Sequence, residues 1–305
     1  MSSLKKISVT SRAKLNLFLK VYGTRPDGFH EIQSIFQIIE LEDTIKFSLE
    51  RGRSGITIRT THQELPIGDD NLIVKAYQKL ARIKEPPQGE GILCEVSKKI
   101  PIGAGLGGGS SNCAATLIAL NSLLNTNLDF EMLSAIGAEI GSDVPFFFMG
   151  GTSLVYGKGE KVEILPDINQ GGFVISVPPV KIDTTTAYKL LDSHRMKKGT
   201  GFSQAPQLSE LRQLWSNGII SNDFVTYMHN DFEEAIFEQY PLIEDAKKRL
   251  EKVAGNVLMS GSGSAIFAYF PRYDDAWKAL EDYQPLPGEF LNISRPMKEG
   301  CEIHG

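Results

Sequence analysis

Cysteine is scarce: Cys94, Cys113 and Cys301 are the only three in a chain of 305 residues. They lie far apart and form no CxxC pair, which argues against a disulfide framework or a zinc cluster and points to a reducing compartment. The five histidines follow no HExxH or similar spacing, so no protein-built metal centre is expected. Long apolar runs are missing too. Val144 to Met149 is far too short to cross a bilayer, and Lys5 and Lys6 lead into no signal-peptide stretch. Nor is there an excess of basic residues. A net charge of −5 speaks against coating nucleic acid or an anionic membrane, so any polyanion site must be local. A cytoplasmic protein with neither nucleic-acid nor membrane partners is expected, and no pattern encodes an oligomeric state.

What is present is globular material. Hydrophobic residues make up 41% and charged residues 23%, enough for a buried core in a length that favours two domains. The polar stretch Pro166 to Gly172, ending in two glycines, sets the expected boundary between residues 1–168 and 169–305. From Ile7 to Val21 the pattern alternates. Leu15, Leu17, Leu19 and Val21 share one strand face, and Lys14, Asn16, Phe18 and Lys20 the other. Asp43 to Leu49, Gly55 to Thr60 and Ile92 to Val96 read as further strands. Asp69 or Asp70 is placed to cap a helix with the stripe Ile73, Ala76, Tyr77, Leu80 and Ile83.

Helices are expected at Ser110 to Leu124 and Phe130 to Ile140, the second capped by Asp129. Strands around Phe146 and from Thr152 to Tyr156 follow. The second half shows a strand at Phe173 to Val177, a short helix at Thr185 to Leu191 and helix from Asp231 to Val253 broken at Pro241. Two strands between Val257 and Phe270 and a helix from Asp274 to Tyr283 complete it. Both halves fit α+β better than repeated βα units.

Five of the seven residues Gly103 to Gly109 are glycine. Such a loop can adopt positive φ and expose its amides to close approach. Ser110 and Ser111 then open a helix whose unpaired amides and positive dipole end face the same place, a recipe for binding phosphate. Gly103-Ala-Gly-Leu-Gly-Gly108 fits GxGxxG, but another helix follows where a dinucleotide fold needs a buried strand ending in an acid. No lysine follows the last glycine, so the Walker pattern fails as well.

Pro101-Ile-Gly-Ala-Gly-Leu-Gly-Gly-Gly-Ser-Ser111 resembles the second motif of the GHMP kinases, small-molecule kinases that hold ATP phosphates on such a loop. Ala13-Lys-Leu-Asn-Leu-Phe-Leu19 resembles the first motif. Met259-Ser-Gly-Ser-Gly-Ser-Ala265 resembles the third, a glycine-rich turn near the active site. Three motifs in order across the chain make a specific match. Arg25-Pro-Asp-Gly-Phe-His-Glu31, the Gly107-Gly-Gly-Ser-Ser-Asn112 loop and Gly141-Ser-Asp-Val-Pro145 resemble the branch that acts on a cytidine diphosphate-linked methylerythritol in non-mevalonate isoprenoid synthesis. The resemblance implies a two-domain α+β GHMP kinase fold, with a ribosomal-protein-S5-like N-terminal domain and a ferredoxin-like C-terminal domain. The site would lie in the cleft between them, where ATP phosphorylates the acceptor's 2-hydroxyl.

The same resemblance assigns roles. Asp143 becomes the catalytic acid–base residue, although a Gly-Ser-Asp-Val-Pro aspartate also suits a plain turn. Lys14 would hold Asp143 ionised and offset transition-state charge, where an isolated strand lysine otherwise reads as solvated. Pro101, Ile102, Gly103, Ala104, Gly105, Leu106, Gly107, Gly108, Gly109, Ser110 and Ser111 would bind ATP, and Asn71 and Lys98 would line the adenine pocket. Ser110 and Ser111 cap the helix, contact phosphate or reach Mg²⁺. Mg²⁺ itself is expected to be held mainly by ATP and water. Asn16 would meet the acceptor's diphosphate or its tetritol end, and Gly261 and Ser262 also fall to the acceptor. His30 would hydrogen-bond the cytosine edge while Phe29 stacks on the base; many relatives carry Tyr at that position. Tyr188 either stacks on the opposite face of cytosine or packs its own helix.

Two other readings compete. Another GHMP kinase, of mevalonate or homoserine type, lacks a reason for the Asp-Gly-Phe-His segment. A non-catalytic nucleotide-binding protein on the same fold lacks a reason to keep both Lys14 and Asp143.

Overall fold

The computed structural model describes residues 6–199, 208–215, 220 and 227–304. Two long strands, β1 (Lys6–Thr24) and β2 (His30–Arg51), pair antiparallel as its spine. At about 3.3 Å per residue, β2 reaches roughly 70 Å, enough to run from one half of the molecule into the other. The pairing shifts register between Arg12 and Ala13, between Asn16 and Phe18, and between Val21 and Thr24. Such bulges re-aim side chains. Past the second shift it is Leu19, not Phe18, that joins Lys14 and Asn16 on the cleft side, so the simple alternation expected through Lys20 does not hold there.

Around this hairpin the first sheet has seven strands in the order β11-β1-β2-β4-β3, with β5 on β2 and β6 on β5. These are β3 (Ile56–Thr60), β4 (Glu90–Ser97), β5 (Thr152–Gly157), β6 (Lys161–Ile164) and β11 (Cys301–His304). β3 and β4 run parallel, so they need a crossover, which α1 (Leu72–Ala81) supplies. Asn71, not Asp69 or Asp70, caps α1: its Oδ1 accepts from Ile73 N at 2.8 Å. Next come α2 (Gly108–Leu124), α3 (Phe130–Ile140) and α4 (Val144–Met149). Asp129 caps α3 by accepting from Met132 N. α2 begins two residues before the serines, behind Gly107, and is buried on nearly every side. The run around Phe146, expected as a strand, is the helix α4. Its aromatics mimic a strand, but Pro145 sits in the first turn, where its fixed φ and missing N–H suit a helix.

The second sheet, β10-β7-β9-β8, is antiparallel, built from β7 (Gly172–Val177), β8 (Val257–Met259), β9 (Ile266–Phe270) and β10 (Phe290–Ser294). It carries α5 (Thr184–Lys198), α6 (Leu208–Leu214), α7 (Glu233–Gln239), α8 (Pro241–Glu251) and α9 (Tyr273–Asp282). The helix broken at Pro241 is the α7–α8 pair, and α5 runs nearly two turns beyond its expected end, to Lys198. Leu19, Val21 and Ile32 of the hairpin pack in one cluster with Val174, Phe232, Ile236 and Ile266. The spine therefore contributes to the core of the second half. Among the described residues no helix is long and apolar enough to cross a membrane.

The chain also returns. β11 pairs with β1, and Arg12 N donates to Gly300 O at 2.8 Å. A cut at 168/169 thus leaves one strand of the first sheet on the far side. Gly300 lies so close to α4 that a Cβ there would sit 2.4 Å from Phe147 O, a backbone atom that cannot swing away. Gly300→Ala is expected to destabilise the protein by about 1–3 kcal/mol, the usual size of an overpacking strain. A urea midpoint unchanged from the parent would show that this strand is not held against α4.

Candidate active site

β1 delivers Lys14 and Asn16 side by side into the molecule's interior, 3% and 2% exposed. Lys14 Nζ donates to Asn16 Oδ1 at 2.5 Å, lies 3.9 Å from Asp143 Oδ2 and sits 4.6 Å from the centre of the Phe36 ring. Burial lowers the pKa of this amine, and the Asp143 carboxylate opposes the shift. Asn16 is itself fixed: its Nδ2 donates to Ser34 Oγ at 3.0 Å and its backbone N donates to Ser260 Oγ at 3.2 Å. Asp143 precedes α4 rather than a strand, with its carboxylate a third exposed.

The glycine loop joins β4 to α2 and is gripped from two directions. Lys14 N donates to Leu106 O at 3.0 Å, and Ala265 N donates to Ala104 O at 3.0 Å. Two glycines are demanded by this contact. A Cβ on Gly105 would lie 2.1 Å from Ser260 O; one on Gly107 would lie 2.7 Å from Phe147 Cζ and 2.9 Å from Lys14 Cγ. Both residues also have φ near +70°, which L side chains resist. Ser111 N already donates to Gly107 O at 2.9 Å, so the amides of Gly108, Gly109 and Ser110 ahead of it have no intrahelical acceptor. All three residues line a cleft of about 370 Å³.

Every residue from Pro101 to Ser110 lines that cleft, together with Asn71, Lys98, Lys14, Asn16, Asp143, Tyr188, Gly261 and Ser262. Three expected site residues do not. Ser111 is fully buried behind the loop. Phe29 stands 51% exposed, with Lys158 Nζ 4.6 Å from its ring centre. His30 stacks on Tyr188, ring centres 4.7 Å apart, and its Nε2 is 3.0 Å from Asp192 Oδ1. Burial, aided by Asp143 and Asp192, raises the Tyr188 pKa, so its phenol stays protonated.

Residues outside the sequence motifs support the site from around it. Asn230 Nδ2 donates to Met259 O at 2.7 Å and Gly261 O at 2.8 Å, holding the third motif in place. No local pattern marks it. Lys158 sits on the β5–β6 turn, whose Gly159 would bring a Cβ within 3.4 Å of Asp143 Oδ1; its only sequence signal is a pair of flanking glycines. Asn112, by contrast, closes the Gly-Gly-Gly-Ser-Ser-Asn run that the resemblance covers, and it also lines the cleft.

This arrangement can place a phosphate chain on bare amides beside a lysine–aspartate pair. Comparison with known proteins agrees with that chemistry. Residues 71–151 match the model of the GHMP kinases N terminal domain, and residues 220–284 that of the GHMP kinases C terminal. The 4-diphosphocytidyl-2-C-methyl-D-erythritol kinase of Solibacter usitatus is 38% identical over 92% of this chain and 86% of its own length. The enzyme of the same name from Caldanaerobacter subterraneus is 36% identical over 98% and 99%. A solved 4-(cytidine 5'-diphospho)-2C-methyl-D-erythritol kinase superposes with a TM-score of 0.71 at 28% identity, covering 94% of this chain and 98% of that one. A homoserine kinase from Cytophaga hutchinsonii also reaches 0.71, but at 21% identity, which speaks for the fold alone. The chain belongs to the GHMP kinase family of small-molecule kinases, within its 4-diphosphocytidyl-2-C-methyl-D-erythritol kinase branch.

Proposed function

We propose that the chain transfers the terminal phosphoryl group of ATP to the 2-hydroxyl of 4-diphosphocytidyl-2-C-methyl-D-erythritol, releasing ADP. The observation that carries the chemistry is the Lys14–Asp143 pair standing in one cleft with the glycine loop. The choice of acceptor rests on the named relatives and on the aromatic cluster at Tyr188.

Phosphoryl transfer asks a protein chiefly for positioning and for charge opposite the moving group. The free amides at the start of α2 bind the phosphates. Asp143 takes the proton of the acceptor hydroxyl as its oxygen bonds to phosphorus and the bond to ADP breaks. Lys14 keeps Asp143 oriented and offsets negative charge from a buried position, where such effects are stronger than in water. Asn16, held by Ser34 and Ser260, orients the acceptor beside them. Cytidine recognition falls to Phe29, Tyr188 and His30, the last oriented by Asp192, with Lys158 as the neighbouring cation. Asp143 and Ser110 are oxygen donors that suit magnesium brought in on ATP. Among the described residues no group of three or more His, Cys, Asp or Glu forms a cage for it, and Mg²⁺ commonly keeps water and phosphate ligands.

Asp143→Asn and Lys14→Met should each lower kcat by at least about 10²-fold in an ADP-release assay, with both substrates still bound. The double variant should lose far less than the product of the two, because the groups act as a unit. A folded Asp143→Asn enzyme with near-normal turnover would remove the proton acceptor from the scheme.

The depressed Lys14 pKa adds a pH signature. The ammonium form is the working one, so kcat should decline on the alkaline side, beginning below the ordinary lysine value of about 10.4. Lys14→Arg, charged throughout, should flatten that limb in whatever activity it retains. A limb that persists unchanged in Lys14→Arg belongs to another group.

Gly107→Val tests the phosphate cradle, since its branched Cβ strikes Lys14 and Phe147 and opposes the positive φ. Calorimetric ATP affinity should drop at least about tenfold in the folded variant, a loss of about 1.4 kcal/mol or more. Retained affinity would contradict the cradle.

A further inference from the structure

Among the described residues two cations line the cleft, Lys14 and Lys98, and the second depends on a residue that cannot touch any ligand. Asp43 of β2 is 0% exposed and lies outside the cleft lining. Its Oδ1 accepts from the backbone amides of Lys99, at 2.7 Å, and Ile100, at 2.9 Å. Its Oδ2 accepts from Lys98 Nζ and from Asn112 Nδ2, the latter at 2.9 Å. Lys98 Nζ also donates to Asn112 Oδ1 at 3.1 Å, and Asn112 Nδ2 donates to Ser11 Oγ at 2.6 Å. Lys98, Lys99 and Ile100 form the shoulder by which the chain enters the glycine loop, and Asn112 belongs to the helix by which it leaves. One carboxylate therefore fastens both shoulders.

The loop feels this fastening directly. A Cβ on Gly108 would lie 2.9 Å from Ile100 Cγ2 and 3.3 Å from Lys98 Nζ, so the entering shoulder sits hard against the first turn of α2. A buried ion pair adds little net stability against an apolar substitute, but losing one partner strands the other charge. The pair is thus better suited to fixing geometry than to holding the fold. Resting on the reading that the glycine loop binds the phosphates of ATP, we propose that Asp43 is the positioning residue of the nucleotide site, acting through Lys98 and Asn112 to set the width of that loop.

Asp43→Asn is the direct test. The amide keeps an oxygen for Lys99 N and Ile100 N but turns an NH₂ toward Lys98 Nζ and Asn112 Nδ2, donor against donor. ATP titrated calorimetrically without acceptor should bind at least about tenfold more weakly, while the acceptor's KM stays within about twofold. Combining Asp43→Asn with Asn112→Asp returns a carboxylate to Lys98 and a donor–acceptor pair between positions 43 and 112, so most of the ATP affinity should return. A defect of the fold alone would weaken both substrates and would not be rescued by the exchange. Should Asp43→Asn fail to fold, Asn112→Ala releases only the helix shoulder and should also weaken ATP selectively.

Three outcomes overturn the proposal: unchanged ATP affinity in a folded Asp43→Asn or Asn112→Ala protein, equal losses for both substrates, or an exchange variant no better than Asp43→Asn. If Gly107→Val destroys ATP binding while these variants do not, only the role of Asp43 falls. If Gly107→Val is also harmless, the loop reading falls with it.

Discussion

At Gly105 and Ser260, residues far apart in sequence come so close that no side chain fits between their backbones: a Cβ at 105 would lie 2.1 Å from the Ser260 carbonyl oxygen. The site depends on this contact. It joins the glycine loop to the third motif, while Lys14 N, on the first motif, holds the loop at Leu106 O. Ser260 closes the triangle by bonding Asn16 N and Gly105 O through its hydroxyl, at 3.2 and 3.1 Å. Three segments near positions 14, 105 and 260 are thereby locked in one arrangement, and the cleft they outline belongs to both halves of the chain. Rigid placement of this kind lets fixed amides and charges stabilise a transition state without reorganising.

A chain of net charge −5 must gather positive potential locally to attract a triphosphate. The positive groups that line the cleft are helix amides and two lysines whose charges are already engaged, Lys14 with Asp143 and Lys98 with Asp43. Neither lysine is a loose surface cation. Each is buried and oriented, so the field at the cleft is set by the fold rather than by flexible side chains. The two lysines enter from β1 and from the end of β4, so the Lys14–Asp143 pair and the Lys98–Asp43 pair are built on separate parts of the sheet.

Much of this was legible in the sequence where function is written in short runs. The glycine loop, the Lys14–Asn16 spacing and the Ser260-Gly-Ser-Gly263 turn each carry their chemistry locally, and residues 101–110 all reach the cleft. What escaped depends on tertiary context. The bulge between Asn16 and Phe18 carries no composition signal, yet it decides that Leu19 faces the cleft. Val144 to Met149 has the aromatics of a strand and the proline of a helix start; its packing under Gly107 favours the helix. Asp69, Asp70 and Asn71 are all competent caps, and only the geometry picks Asn71. Asp43 and Asn230 are ordinary polar residues until the fold surrounds them with donors and carbonyls. Phe29 and His30 are singled out by motif, yet neither lines the cleft, and that motif could not foresee His30 lying on Tyr188.

If the cleft works as proposed, it phosphorylates a cytidylylated acceptor. The most direct measurement of this is ADP release from ATP–Mg²⁺ with four acceptors in parallel: 4-diphosphocytidyl-2-C-methyl-D-erythritol, 2-C-methylerythritol, mevalonate and homoserine. The first should turn over with phosphate appearing on its 2-oxygen, and the other three should have kcat/KM lower by at least about a thousandfold, since recognition of the cytidine end supplies binding they cannot match. Comparable efficiency with uncytidylylated methylerythritol, or with mevalonate or homoserine, would contradict it.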